Sequence, residues 1–158
     1  MPRPAAPIKL SFRAFRGRDL GRIARLNGEA GVNFDHESED KKYWDEGFHP
    51  EQIVVGEHGG KIIGKMDLVE GVSSRGRFLM ISRLVVTKTH RGRGLGRAFV
   101  DYAVKEAKRR KCASIDLYVS ASNAGAIALY RSVGFKPKDV DVHMQLELAR
   151  RRPRAGSR

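Results

Sequence analysis

An apolar run in the middle of the chain leads into a loop in which glycines and arginines alternate, and a helical pattern follows. The loop, residues 91–97, is Arg-Gly-Arg-Gly-Leu-Gly-Arg. A strand, a glycine loop and a helix start together present backbone N–H groups to an anion. The glycines let the backbone approach a ligand closely, and the arginines supply charge suited to phosphate. The stretch therefore predicts a ligand that carries phosphate.

The spacing of these residues excludes two common phosphate-binding motifs. The nucleotide phosphate loop needs Gly-x-x-x-x-Gly-Lys-Ser/Thr, whereas Gly96 is followed by Arg97 and Ala98. The dinucleotide fingerprint needs Gly-x-Gly-x-x-Gly, whereas the spacing here is Gly-x-Gly-x-Gly, with one residue between successive glycines. The pattern that remains is Arg-x-x-Gly-x-Gly over residues 91–96. Taken alone, that pattern fits an arginine-rich turn without a ligand equally well.

A second motif lies downstream, at residues 123–135: Asn-Ala-Gly-Ala-Ile-Ala-Leu-Tyr-Arg-Ser-Val-Gly-Phe. Asn123 is a favourable helix N-cap, and Gly134 suits the residue that ends a helix. Four apolar side chains recur at helical spacing between them: Ala126, Leu129, Tyr130 and Val133. The motif predicts a helix, and by its spacing alone Tyr130 belongs to the core.

Together the two motifs resemble the signatures of the GNAT superfamily of acetyl-CoA-dependent N-acetyltransferases. In that family Arg-x-x-Gly-x-Gly is the pyrophosphate loop, and Asn-x-x-Ala-x-x-Leu-Tyr-x-x-x-Gly-Phe follows at the distance found here. The resemblance covers roughly residues 61–148. It implies the GNAT fold, of α/β (α+β) class: a central, mostly antiparallel mixed sheet with splayed central strands, flanked by helices. Acetyl-CoA, the acetyl donor, would lie in the gap between those strands.

The resemblance also assigns the cofactor contacts. The loop backbone would take the pyrophosphate, and the preceding strand would pair with the pantetheine arm. A backbone N–H near Val86 would polarise the acetyl carbonyl, and Asn123 would contact the cofactor or its loop as well as cap its helix. The expected cofactor-binding residues are Leu84, Val85, Val86, Arg91, Gly92, Arg93, Gly94, Leu95, Gly96, Arg97 and Asn123.

Catalysis would rest on Tyr130, which the resemblance places to protonate the departing coenzyme A thiolate as general acid. An acceptor lysine, with a pKa of ~10.4, also needs a base before it can attack. Many members of the family carry a glutamate on the strand before the loop, whereas this chain has Ser82 and Arg83 there. The base is therefore open. Its candidates, each of which also fits a structural charge, are Asp67, Glu70, Asp116, His143 and a water relay.

Composition limits the other possibilities. A chain of 158 residues is expected to form one domain. The single cysteine, Cys112, excludes a disulfide within the chain and suits a reducing, cytoplasmic setting. No apolar run is long enough to span a membrane, and residues 1–7 lack the apolar core of a secretory signal. The four methionines and the scattered histidines show no metal-ligand spacing, so no metal site is expected.

Charge is unevenly distributed along the chain. The net charge is +13, yet residues 29–46 hold seven acids against two lysines, a local charge of −5. The resemblance makes this region one wall of the acceptor site. A protonated amine would be drawn to the acids, and Tyr43, Trp44 and Phe48 could add cation–π contacts. The alternative is an exposed acidic loop that keeps the domain soluble.

The predicted organisation is a disordered N-terminus (1–7), a single acetyltransferase domain (8–148) and a basic disordered tail (149–158) with five arginines. Asp19 is expected to cap a first helix that ends at Gly28 or Gly31, and another helix follows Asn123. The other predicted elements are strands at 8–14, 52–58, 61–69, 77–86, 114–119 and 140–148, and a helix at 95–110.

The sequence thus predicts an N-acetyltransferase, monomeric or homodimeric, that moves the acetyl group of acetyl-CoA directly to a primary amine. The acceptor could be a protein N-terminus, a lysine or a small amine. The rival interpretation is a non-catalytic or ribosome- or RNA-associated binding module on the same scaffold. Residues 108–111 and the basic tail supply charge for a weak RNA or ribosome contact beside catalysis.

Overall fold

The computed structural model describes residues 8–29 and 49–139, together with Met144 and Leu146. Within these residues the chain forms five strands, three α-helices and three short 3-10 turns. The strands are β1 (Ser11–Ala14), β2 (Ile53–His58), β3 (Lys61–Ser73), β4 (Gly76–Val86) and β5 (Ser114–Leu117). The helices are α1 (Leu20–Glu29), α2 (Leu95–Arg109) and α3 (Ala124–Val133), and the turns are Gly17–Asp19, Pro50–Gln52 and Lys88–His90.

The strands form one sheet in the order β1-β2-β3-β4-β5. The first three pairings are antiparallel, and β5 joins β4 in parallel. Gly59 and Gly60 make the tight turn between β2 and β3 with φ of +57° and +75°, the left-handed conformation that such a hairpin requires at both positions. The expected mixed, mostly antiparallel sheet is confirmed.

The pairing between β4 and β5 is short. It runs from Phe78↔Ser114 to Ile81↔Leu117, while β4 continues to Val86. Within the part of the chain that the structure describes, the last residues of β4 therefore have a partner strand on the β3 side only. The sheet opens at this point into the gap expected from the splayed strands.

A β-bulge lies near the start of this segment, residues 82–86, which pairs with β3 but has no partner on the β5 side among the described residues. Between the pairs Lys65↔Val85 and Asp67↔Ser82, β4 contains two residues where β3 contains one. Arg83 occupies the bulge with φ of +46°, an uncommon value for a residue with a side chain. An extra residue exchanges the faces to which the following side chains point. Consequently Val85 packs with α1, whereas Leu79 and Ile81, an even number of positions before it, lie on the opposite face of the sheet.

Each face of the sheet carries its own core. The face under α2 and α3 is built around Val54, Met66, Leu68, Leu79, Ile81, Phe99, Val100, Ala103 and Ala107. The face under α1 is built around Ile23, Leu26, Ile53, Val55, Ile62 and Val85. Helices α1 and α2 bury residues spaced three or four apart, as amphipathic helices do. The two cores fix the central strands from both sides, and so they fix the gap.

Phe99 of α2 lies in a groove made by two glycines. A Cβ at Gly56 would come within 2.5 Å of the Phe99 ring, and a Cβ at Gly64 within 2.7 Å of the ring and 2.8 Å of the Val85 carbonyl oxygen. Phe12 contacts the same ring edge-on, with centroids 5.0 Å apart. The missing side chains therefore let α2 sit close to the sheet beside the gap.

We expect Gly64→Ala to destabilise the fold by about 1–3 kcal/mol, because backbone and ring would both have to move. Denaturant unfolding followed by circular dichroism measures the change. The matched control is Gly21→Ala in α1, where a Cβ meets nothing within 4 Å and a gain of up to ~1 kcal/mol is expected. Equal effects of the two substitutions would contradict the close approach of α2.

Several predicted boundaries shift. Asp19 closes a 3-10 turn and binds Arg13 and the backbone N–H of Arg16, so it holds the entry to α1 from within that turn. α1 runs through Gly28 to Glu29, and β3 continues to Ser73.

At the other end of the fold, β5 stops at Leu117, and Tyr118 and Val119 are exposed. Met144 and Leu146, predicted within the last strand, are in no strand and are 87% and 82% exposed. The rest of that predicted strand, both termini and residues 30–48 lie outside the described residues.

Candidate active site

The glycine loop ends at the N-terminus of α2. Gly92 and Gly94 adopt left-handed φ values of +74° and +75°, and Gly94 is the N-cap of the helix. The first helical bond runs from Ala98 N–H to the Gly94 carbonyl at 3.2 Å, so the N–H groups of residues 95–97 are not used within the helix. Residues 91–94 are exposed. The loop therefore has the free donors and the open approach that an anion needs.

The arginines of the loop are held in different ways. Arg91 Nε donates to the Val86 carbonyl at 3.1 Å, across the end of β4. Arg97 binds Asp101 at 3.1 Å and the Ser132 hydroxyl of α3 at 3.2 Å. The Arg93 side chain is exposed. Positive charge thus surrounds the loop on both the strand side and the helix side.

Val86 turns its backbone toward the gap. Thr87 N–H donates to the Ile63 carbonyl at 2.9 Å, and Val86 lies opposite Gly64. This geometry makes Val86 and Gly64 a non-hydrogen-bonded pair, so the N–H and C=O of Val86 point away from β3. The neighbouring residue, Val85, turns its backbone toward β3. An extended ligand arm along β4 would therefore meet the backbone groups of Val86.

Helix α3 packs against the start of α2. A Cβ at Gly96 would lie 3.1 Å from Leu129, so the glycine permits this approach. Asn123 accepts a hydrogen bond from Ala126 N–H at 3.1 Å, which confirms its capping role, and Gly134 ends the helix with φ of +112°. α3 is thereby fixed beside the glycine loop.

Tyr130 is half-buried on α3, with its ring 5.8 Å from that of Phe135. It packs against the same core as Leu84 and Val86, so the predicted strand edge and the predicted acid share one face of the sheet. Burial raises the pKa of the Tyr130 phenol above its usual value. The phenol is therefore protonated at neutral pH, as a general acid requires.

The candidate bases lie in different places. Asp67 is 1% exposed and opposite Ser82, next to the bulge, where it binds Lys65 at 3.3 Å and Arg83 at 2.5 Å. Burial raises the pKa of Asp67 and lowers the pKa of Lys65, while their mutual attraction opposes both changes. Among the three candidate side chains that the structure describes, Asp67 is the one beside the end of β4 that lacks a β5 partner.

The other candidates are engaged elsewhere or are not described. Glu70 binds Arg77 and Arg110 at the opposite end of β3. Asp116 is half-buried opposite Met80, within the paired part of β5. His143 lies outside the described residues.

Glu29, the first acid of the acidic stretch, contacts the segment that connects β4 to the glycine loop. It accepts hydrogen bonds from the Thr87 hydroxyl at 2.8 Å and from Lys88 N–H at 3.0 Å. These two bonds, the backbone bond first, lower the pKa of the Glu29 carboxyl. Sequence reasoning grouped Glu29 with the acceptor wall and missed this contact. The remainder of the acidic stretch lies outside the described residues.

The bulge at Arg83 was also missed, although the sequence carries a signal for it. Leu79 and Ile81 are spaced by two, as in a regular strand, but the next residues on the same face are Leu84 and Val86. The three-residue step from Ile81 to Leu84 is what one extra residue produces. The pairing of Asp67 with Lys65 and Arg83 has no comparable local signal.

The family model of the acetyltransferase (GNAT) family matches residues 14–135. This span includes the end of β4 that lacks a β5 partner, the glycine loop, α2 and the Asn123–Phe135 motif. The chain therefore belongs to the acetyltransferase (GNAT) family.

Two curated relatives carry the names of N-acetyltransferases. The N-alpha-acetyltransferase MAK3 of Arabidopsis thaliana is 34% identical over 86 residues, which cover 54% of this chain and 45% of that protein. The [ribosomal protein bS18]-alanine N-acetyltransferase of Escherichia coli K12 is 44% identical over 52 residues, covering 33% of this chain and 35% of the relative. The chain thus spans less than half the length of these relatives.

A solved structure supports the fold. A protein from Clostridium acetobutylicum described as a predicted acetyltransferase, determined with acetyl-CoA, superposes with a TM-score of 0.65 at 18% identity, covering 87% of this chain and 96% of the other. The residues described above suit the same ligand. The N–H groups at the start of α2 and the loop arginines fit a pyrophosphate, and the outward-facing backbone of Val86 fits an amide-bearing arm.

The residues that the structure describes show neither a membrane-spanning helix nor a cluster of metal-ligating side chains. No helix there is both long and apolar enough to cross a membrane. No group of three or more histidine, cysteine, aspartate or glutamate side chains in the described ranges is placed to hold a metal ion.

Proposed function

We propose that the protein is an N-acetyltransferase that transfers the acetyl group of acetyl-CoA directly to a primary amine. The observation that carries the proposal is the end of β4 that lacks a β5 partner: its Val86 backbone faces the gap, and the turn Lys88–His90 connects it to the glycine loop. Family membership supports it. The names of the relatives favour an amine on a protein, such as an N-terminal α-amine. A cytoplasmic location is part of the same proposal, and the single cysteine suits it.

Backbone groups and side chains have different roles in the proposed binding of acetyl-CoA and transfer of its acetyl group. When bound, acetyl-CoA supplies the thioester whose carbonyl the amine attacks. The N–H groups of residues 95–97 and the loop arginines bind the pyrophosphate. The Val86 N–H donates to the acetyl oxygen and stabilises the charge that develops there. Tyr130 holds a proton at its phenol oxygen and delivers it to the departing thiolate. Asn123 keeps α3, and with it Tyr130, in place.

The acceptor must be deprotonated before it attacks. Asp67 is our candidate for that role because burial raises the pKa of its carboxyl and it lies next to the bulge. The alternative is a purely structural role for Asp67, which its bonds to Lys65 and Arg83 support. Asp67→Asn distinguishes the two: a base would lower kcat and flatten the acid limb of the pH profile, whereas a structural charge would lower the melting temperature alone.

The function itself is tested by calorimetric titration with acetyl-CoA, followed by a thiol assay of coenzyme A release with a panel of amines. The panel should contain peptides with free and blocked N-termini, free lysine and a polyamine. Release with a free peptide but not with the blocked peptide would identify an N-terminal acceptor. Absence of binding at high micromolar acetyl-CoA would reject the proposal.

A basic surface favours a second role beside catalysis, a weak contact with RNA or the ribosome. Arg110 binds Glu70 at 3.4 Å, which joins the end of α2 to the β3–β4 hairpin. Residues 108–111 and the exposed Arg75 thereby lie toward one end of the molecule. The tail, residues 149–158, would add five arginines.

We expect the full chain to retard a structured RNA in a gel at low salt, and added salt to weaken the shift steeply. Deletion of residues 149–158 should remove most of it. A protein that causes no shift at low salt has no such contact.

A further inference from the structure

Glu29 is the last described residue of α1, and its carboxylate is held by three donors. Two of them, on Thr87 and Lys88, lie 58 and 59 positions away in the chain, and the third is Arg22 of α1 itself. A carboxylate with such distant partners can fix the position of one segment of the chain relative to another.

The donors tie α1 to the junction between β4 and the glycine loop. The Thr87 hydroxyl and Lys88 N–H both donate to the same Glu29 oxygen, Oε2, at 2.8 and 3.0 Å. Arg22 approaches the other oxygen at 3.5 Å and donates to the Ile62 carbonyl of β3 at 3.1 Å. The carboxylate is therefore held between α1, β3 and the residues that leave β4.

Thr87 and Lys88, the two residues that donate to Glu29 from beyond α1, lie where the chain leaves β4 and turns toward the loop. Thr87 is buried and makes a ladder bond to Ile63 immediately after β4 ends. Lys88 begins the 3-10 turn Lys88–His90, and the exposed loop starts directly after it. Two of the loop residues, Gly92 and Gly94, add little stiffness of their own. The residues between β4 and the loop, Thr87 and Lys88 first among them, are therefore the place where the direction of the loop can be set.

We propose that Glu29 is a positioning residue that fixes the direction in which the glycine loop leaves β4 and thereby sets the affinity for the phosphate-bearing cofactor. The inference rests on the proposed function. It also assigns the first acid of the acidic stretch to the donor side of the reaction rather than to the acceptor amine. Glu29 touches no reacting atom; it acts through Thr87 and Lys88.

The test compares two substitutions of Glu29 with a matched control. Glu29→Ala removes every contact, whereas Glu29→Gln keeps one oxygen that can still accept both bonds. The control, Asp19→Ala, removes a carboxylate with several bonds near the opposite end of α1, far along the helix from the loop. All three proteins are titrated calorimetrically with coenzyme A, and kcat and KM for acetyl-CoA are measured.

We expect Glu29→Ala to raise the dissociation constant for coenzyme A and the KM for acetyl-CoA about tenfold, with kcat at saturating cofactor nearly unchanged. Glu29→Gln should stay within about threefold of the wild type, and Asp19→Ala should leave the affinity unchanged even if its melting temperature falls. Amide hydrogen exchange at residues 88–94 should accelerate in Glu29→Ala only.

Two results would overturn the proposal. One is an affinity within threefold of the wild type in Glu29→Ala; the other is an equal loss in Glu29→Ala and Asp19→Ala, which would make the role purely structural. If Glu29→Ala does not fold, Thr87→Val removes one of the two bonds and should give a smaller rise in the same constant. A wild-type protein that binds no coenzyme A would reject the proposed function, and this inference with it.

Discussion

Gly94→Glu should abolish binding of acetyl-CoA, with a rise in the dissociation constant of at least about 100-fold. Gly94 caps α2 in a left-handed conformation with φ of +75°, next to the free N–H groups of the helix. A glutamate would place negative charge where the pyrophosphate must lie, and it would strain the backbone. Calorimetric titration at low and high salt measures the effect.

Gly94→Gln separates charge from strain. Both side chains have nearly the same size and impose the same φ penalty, and a Cβ at this position meets nothing within 4 Å. We expect glutamine to weaken binding by about tenfold or less, and added salt to narrow the difference between the two variants. Equal affinities would mean that the pyrophosphate does not approach this residue.

Tyr130→Phe should lower kcat about 100-fold or more while the affinity for coenzyme A changes by less than about twofold. The ring keeps its contact with Phe135 and its place against the core, so only the hydroxyl is lost. Because burial raises the pKa of Tyr130, the wild-type phenol keeps its proton throughout the neutral range. Its contribution to kcat should disappear only in strongly alkaline solution.

Steady-state kinetics and thermal melting of the same protein decide the role of Tyr130. Phe135→Leu serves as the control, since it disturbs the packing of the Tyr130 ring and leaves the hydroxyl in place. An acid role requires a large loss of kcat in Tyr130→Phe with an unchanged melting temperature. An unchanged kcat would return Tyr130 to the core, as its helical spacing alone suggested.

The elements that sequence patterns predicted best are those whose signals are local. Gly59 and Gly60 marked a hairpin turn, and the periodic apolar residues of α2 marked its length to within one residue. Asn123 and Gly134 marked both ends of α3 through capping chemistry. Such signals depend on a few neighbouring residues, so they survive in a single sequence.

The features that sequence reasoning missed depend on contacts between distant segments. Glu29 and Lys88 are 59 positions apart, and no local pattern links an acid at a helix end to a particular backbone N–H. The burial of Asp67 between two cations likewise follows from the register of β3 and β4. The opening of the sheet was expected from family resemblance, because nothing in the periodicity of β5 shows that its pairing ends at Leu117.

The contact between Arg91 and Val86 has a consequence for the protein before it meets its ligand. An unpaired strand edge inside a sheet is a template for pairing with another chain and hence for aggregation. The Arg91 guanidinium covers the outward carbonyl of Val86, and the bulge at Arg83 interrupts the regular spacing of the same edge. A second strand would have to displace a charged side chain and match an irregular ladder. These two features therefore protect the gap beside β4 against pairing with a strand of another copy of the chain.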